Sequence, residues 1–387
     1  MRTLVFGLAT LVAACGGAGS TQVSTSSTPP SAGGSDGGVG VPTPDGGGTP
    51  TPGGDGGGVG GTGGGGGGGS GGSGGGGSGG GVGGGGTACT DTAPVAIASA
   101  EKLADALAVD DGNVYFTTEP QRQGDWNLWS GPLGGGAAVM VGGTGDSAAT
   151  YLTVNATAIF TLNSDGLLLR WPKSGGAPTS LHASDTHVGA NCLADAFGYI
   201  YLCNYEFGSG SGQIVRMPED GGQSTVIVGL AYGIGGIAFD AQHLWFSSTR
   251  GVFGVAPDGS SSANDVGIAR PGNGGLGPLT VDDSHVFVAD NQHTIWIADK
   301  RNGATMTVFA QPISYPSALH ADGGNLYVLA GIVDSVGNHA TITRYSGDGS
   351  RADVLADRAG IIGSMVVRGP YVYYTFENDS TVYRICK

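Results

Sequence analysis

The sequence predicts an all-β chain whose folded part is a seven-bladed β-propeller of four-stranded blades. A pattern of apolar triplet, Asp and aromatic-rich alternating strand recurs from Leu107 onward. Its Asp column reads Asp110, Asn155, Asp195, Asp240, Asp282 and Asp322, with Arg368 in seventh place. The intervals are 45, 40, 45, 42, 40 and 46 residues, and four short strands in such a period form one propeller blade. No stretch has an amphipathic helical period, so nothing competes with the strand reading.

The chain opens on Met1, Arg2 and Thr3, followed by an apolar run from Leu4 to Ala14 that ends Val12-Ala13-Ala14-Cys15. That run is too short to cross a bilayer, which takes about 20 residues, and reads as an export signal. With its apolar residue, two small residues and Cys, the segment resembles the lipobox of bacterial lipoproteins. The resemblance implies cleavage after residue 14, acylation of Cys15 and membrane anchoring through it, with Gly16 in the next position favouring the outer membrane. An ordinary secretory signal is the alternative.

Residues 15–87 read as the lipidated Cys and a disordered tether. Between Gly16 and Thr87, 38 of 72 residues are Gly, with three Asp and no Lys, Arg or aromatic. Such a segment buries too little apolar surface to offset its ordering entropy, and its root-mean-square reach is about 40–50 Å. Matches to Gly-x-Ser-x-Gly, such as the one around Ser73, arise from composition, since none sits between a strand and a helix.

Residues 88–387 form the propeller. Their second strands read Val114-Tyr115-Phe116, Ala158-Ile159-Phe160, Ile200-Tyr201-Leu202, Leu244-Trp245-Phe246, Val286-Phe287-Val288, Leu326-Tyr327-Val328 and Val372-Tyr373-Tyr374. Third strands run into Gly-rich turns, as in Trp171-Pro172-Lys173-Ser174-Gly175-Gly176, where positive φ is the expected demand. The last copy stops after its third strand at Lys387, while an orphan strand, Pro94 to Ala98, precedes the first. The orphan is expected to complete the last blade, because two sheet edges otherwise stay open. A six-bladed ring with an aberrant end and a β-sandwich array are the competing architectures.

Four Cys remain beside Cys15, an even number in an exported chain. Cys89 precedes the orphan strand and Cys386 ends the last third strand, so ring closure brings them together. Cys192 and Cys203 flank a hairpin turning at Phe197-Gly198. Other pairings, and free buried thiols, stay open on the arithmetic.

The charge balance of this domain, 15 Lys and Arg against 28 Asp and Glu, repels phosphate and excludes a nucleic-acid partner. No cofactor or metal motif occurs among its seven His. The Asp column reads as turn chemistry, since a role repeated in every blade is unlike a single active site. His320 falls on an innermost strand, as a core His or a channel-facing one.

Loops joining fourth to first and second to third strands gather on one face. The ligand-binding residues expected there are Arg122, Trp126, His187, Tyr205, Tyr232, Arg250, His293, Tyr315, His339 and Glu377. The second-to-third loops of copies one, three and six read as the longest. Leu244-Trp245-Phe246 and Val372 to Glu377 resemble blades of streptogramin B lyases, which are seven-bladed propellers. Their His and Glu constellation has no matching positions here. The first functional expectation is therefore a membrane-tethered binding or scaffold module for a protein, peptide or glycan. The alternative is an extracytoplasmic lyase or hydrolase with no identifiable catalytic residues.

Overall fold

The computed structural model describes residues 89–387, apart from 101–102, 120–125, 146–148, 164–165, 183–187, 207–210, 231, 261–265, 270–274, 335–336, 361 and 377–378. Cys15 and the segment before residue 89 lie outside the described residues. All 28 regular elements described are β-strands, arranged as seven four-stranded antiparallel sheets. Six blades are contiguous in sequence. The seventh joins Ile362–Arg368, Tyr371–Phe376 and Thr381–Cys386 to the first strand, Val95–Ser99, which runs antiparallel along Thr381–Cys386. The orphan strand thus closes the ring as expected.

Successive innermost strands, such as Ile234–Phe239 and Leu276–Val281, pack on one another around the ring. There are seven apolar cores, one between each pair of adjacent blades. Second-strand aromatics fill these wedges: Phe116, Phe160 and Phe246 are wholly buried. Every inner strand carries an irregularity at a similar level, for example at Gly235 and Ser317, and these bends relieve crowding at the narrow centre. Gly235 is required there, because a Cβ on it would collide with the Leu276 carbonyl of the next blade. At the same level Thr117, Ser247 and Thr375 donate hydroxyl hydrogen bonds to Ala149 O, Gly277 O and Asp105 O of the following blade.

Two disulfides match the sequence expectation. Cys89–Cys386, with Cα atoms 5.7 Å apart, ties the closing strand to the last blade across 297 residues. Cys192 and Cys203 are direct cross-strand partners bridged within blade 3, and the turn below them takes positive φ at Phe197 and Gly198.

The Asp column organises its own turns and also latches one blade to the next. Asp110 accepts the Gly112 and Asn113 amides at 2.8 and 2.7 Å, the Tyr115 hydroxyl at 2.9 Å and Lys173 Nζ of blade 2 at 2.6 Å. Asp240 repeats the set with Gln242, His243, the Trp245 indole and Lys300 Nζ of blade 5. Asn155 donates to Glu219 of blade 3 at 2.5 Å, and Lys387 pairs with Asp322. All four reaching residues directly follow a third strand. Burial works against the Asp110 carboxylate, but Lys173 and the turn amides outweigh it and bring its pKa down to about 2.

Three seams depart from this pattern. In the one between blades 5 and 6 the third strand Gly337–Ser346 is followed by Gly347, which offers Asp282 no side chain. Blade 4 follows its third strand, Gly251–Val255, with Ala256 and Pro257, so no lysine reaches Asp195; its burial, and then the neighbouring Glu219 carboxylate, raise its pKa to about 6. Between blades 7 and 1 the column residue is Arg368 and the residue after the facing strand is Leu133.

Three outcomes follow from this packing. Gly235→Ala is expected to lower unfolding stability by about 1–3 kcal/mol through overpacking, while Gly229→Ala, whose Cβ meets open space, leaves it unchanged in the same denaturant titration. Cys386→Ser is expected to cost about 2–5 kcal/mol, the usual range for a native bridge in an exported domain, and reductant should have little further effect on that seam. Asp195 binds its proton more tightly folded than unfolded, so it costs stability as pH rises from 3.8 to about 6. Asp195→Asn should therefore raise the unfolding midpoint at neutral pH, and the two curves should converge on acidification to about pH 4.

Candidate binding face

Each inner strand starts on one face of the ring, that of the fourth-to-first and second-to-third connections, and ends on the opposite face, that of the Asp turns. Cys386 ends a third strand and pairs across from Tyr371, at the start of a second strand. Its bridge to Cys89 therefore places Cys89 on the Asp-turn face. The loop face lies on the other side.

The most organised feature of the loop face spans blades 5 and 6. Asp290, at the end of the second strand His285–Asp290, is buried and accepts the amides of Gln292 and Thr294 at 2.9 Å and the Trp296 indole at 2.8 Å. Those bonds close a tight turn with His293 at its apex in a left-handed conformation, φ +67°. Tyr315, in the connection into blade 6, is also left-handed at φ +40°. Its amide donates to His293 Nδ1 at 3.1 Å, and the two rings meet edge to face at 4.8 Å. The Ile313 amide donates to His293 O at 2.8 Å, joining the two loops again. With both backbones held in this way, the Tyr315 side chain stands 62% exposed. Non-glycine residues in this region of φ cost about 1–3 kcal/mol and concentrate at ligand clamps and active sites.

Blade 4 supplies a second aromatic and cation pair. The Arg250 guanidinium lies 4.8 Å from the centre of the Tyr232 ring, and the turn carrying it is closed by the Arg250 amide donating to Ser248 Oγ. Further round, His339 Nδ1 is 3.7 Å from Asp357 Oδ1, beyond hydrogen-bond reach. Arg358 next to it stacks over Tyr383 and Phe376 at 4.6 and 5.2 Å. The sequence reading missed Arg358 and the turn-forming role of Asp290. For Asp290 the signal was present, as Asp followed by polar residues ahead of Thr294 at the end of an apolar strand.

Not every expected ligand residue falls where the sequence placed it. Trp126 is a strand residue, the first of Trp126–Pro132, and is 9% exposed; the alternation Trp126, Leu128 continues inward and draws the indole into the blade. Tyr205 belongs to the strand Tyr199–Glu206 and His339 to Gly337–Ser346. The long loop expected in copy six is a hairpin of two ten-residue strands, Asn325–Asp334 and Gly337–Ser346, since Ile332 and Val333 extend the β-prone run. Arg122, His187 and Glu377 lie outside the described residues. Tyr232, Arg250, His293 and Tyr315 are placed on the loop face as expected, in two separate pairs. His320 is held neutral: burial lowers its pKa to about 4, against the pull of Asp322 and with that of Lys387.

Comparison with known proteins bears on the fold alone. No protein-family model matches the sequence, and no curated protein is detectably similar to it. Among solved structures, the chain is similar to a virginiamycin B lyase from Staphylococcus aureus, with a TM-score of 0.60 at 13% identity over 76% of this chain and 99% of the lyase. It is also similar to the WD40 propeller domain of Doa1, with a TM-score of 0.55 at 13% identity over 76% of this chain and 95% of that one. YCF48 bound to D1 peptide gives 0.55 at 9% identity over 76% and 96%. At these identities the likeness establishes a propeller and leaves function to the chemistry of the loop face.

Proposed function

We propose that this protein is an exported, lipid-anchored propeller that binds a protein, peptide or glycan on its loop face. The observation that carries this reading is the His293 and Tyr315 pair, two left-handed residues holding a largely exposed aromatic ring in a fixed position. An immobilised Tyr presents a large amphipathic surface at low entropic cost, as anchor residues of interfaces do. Arg250 over Tyr232 adds a cation and a second ring. Acylated Cys15 and the tether 16–87 would precede Cys89, which is bridged to Cys386 on the Asp-turn face. A long leash widens the range of encounter without chemistry of its own. YCF48 with D1 peptide illustrates that a propeller of this shape can bind a peptide. Among the described residues of the loop face, His339 and Asp357 lie 3.7 Å apart, beyond the contact a general acid and base require.

The test is purification of the full-length protein from its native membrane in mild detergent, with mass spectrometry of stoichiometric companions. The expected outcome is a companion or glycan retained by the native chain and lost by Tyr315→Ala and Arg250→Ala, with both variants as stable as the parent. Retention by both variants would remove the loop face as the binding surface. Cys15→Ser should move the protein from the membrane to the soluble fraction; unchanged partitioning would remove the anchor.

A further inference from the structure

The seam between blades 7 and 1 is built differently from the seams closed by an Asp and lysine latch, and what it leaves is a cavity. Where blades 1 and 4 present Asp110 and Asp240 to a lysine, blade 7 presents Arg368, and the facing residue is Leu133. No lysine latch forms; Arg368 instead reaches Val109 O and the exposed Asp111 of blade 1. The cavity of about 340 Å³ is walled by Leu133, Pro370, Tyr371, Tyr373, Arg368 and Arg384. It lies on the Asp-turn face, away from the loop face.

Both guanidinium groups are held in place, and both keep donors to spare. Arg368 donates from Nη1 to Val109 O at 2.9 Å and from Nη2 to Asp111 at 2.6 Å. Arg384 donates to Leu133 O at 2.8 Å and to Asp91 at 3.3 Å, with its plane over the Tyr371 ring at 4.5 Å. Arg carries five N–H donors, so three on each have no acceptor among the described residues. The carboxylate engaging Arg368 belongs to a side chain that is 96% exposed, and such surface pairs contribute about 0–1 kcal/mol. An incoming anion can therefore replace Asp111.

We propose that this seam binds a small monoanionic carboxylate with an apolar or aromatic body. The planar guanidinium fork matches a carboxylate, and the tyrosine rings, Leu133 and Pro370 accept the body. Asp110 and Asp111 at the rim oppose a doubly charged phosphate more than a single carboxylate. The volume sits at the low end of the roughly 300–1,000 Å³ of small-molecule sites, which suits an acid of about amino-acid size over a folded partner. The site is independent of the loop face and of its ligand.

Calorimetric titration of the full chain with N-acetyl-L-phenylalanine, alongside its uncharged amide, tests the assignment. The acid is expected to bind and the amide not. Arg368→Gln should weaken the acid about tenfold or more, as loss of a charge-assisted pair does. Asp111→Asn removes the competing carboxylate and should tighten binding up to about fivefold, the counterpart of a surface pair. Both side chains are too exposed to decide folding, and unchanged denaturation midpoints would establish that. Equal binding of acid and amide, no binding of the acid, or an unaltered affinity in Arg368→Gln would each overturn the proposal. A peptide ending in a free Phe carboxylate, tighter than the acid, would show that a chain terminus is the preferred source, which overturns the assignment to a small free acid.

Discussion

Everything in this structure depends on closing a ring of sheets that cannot stand alone. Each blade has one apolar face toward each neighbour, so a blade at an open end would expose both a core and a sheet edge. Closure removes both costs at once. The first strand, Val95–Ser99, is spent in the last blade, and the Cys89–Cys386 bridge covalently joins the strand pair that makes the seam. The inner strands then approach so closely that Gly235 has no alternative.

Against that common frame, the differences between seams carry the information. A lysine following the third strand of blades 2, 5 and 7 neutralises a carboxylate of the blade before it. Glu219 takes the same place toward Asn155, leaving Asp195 beside another carboxylate and raising its proton affinity. Between blades 7 and 1 the polarity of the column reverses to Arg368, which reaches Val109 O and the exposed Asp111 and leaves a cavity beside it. The repeat is thus uniform in its apolar wedges and individual in its charges.

The two faces of the ring divide the work. The Asp-turn face carries the latches, the cavity between blades 7 and 1 and the Cys89 bridge. The loop face is free of that bridge, and its backbone is strained at His293 and Tyr315 to hold an aromatic ring outward. Strain of this kind persists only where surrounding bonds over-determine it, here the Asp290 turn and the two bonds between the loops.

The four-stranded repeat and its strand order were legible in the sequence, because they follow from periodicities and turn chemistry local to each repeat; the Cys pairing and the closing of the ring, which joins Cys89 to Cys386 across 297 residues, were expected from it and decided by the assembled ring. The Asp turns were legible for the same reason: an Asp accepting amides two and three residues on needs nothing distant. Half of the Asp column's role was not, since Lys173 lies 63 residues from Asp110 and meets it only across an assembled seam. A charged residue after four of the third strands was its trace in the sequence. The place of Tyr232, Arg250, His293 and Tyr315 on the loop face follows from their position between strands. Their pairing was decided by the tertiary structure, since His293 meets Tyr315 from another blade's connection. Trp126 and the extended hairpin of blade 6 were likewise decided by packing, because a strand continues as long as its alternation finds a neighbour, and no turn signal in the sequence stops it sooner.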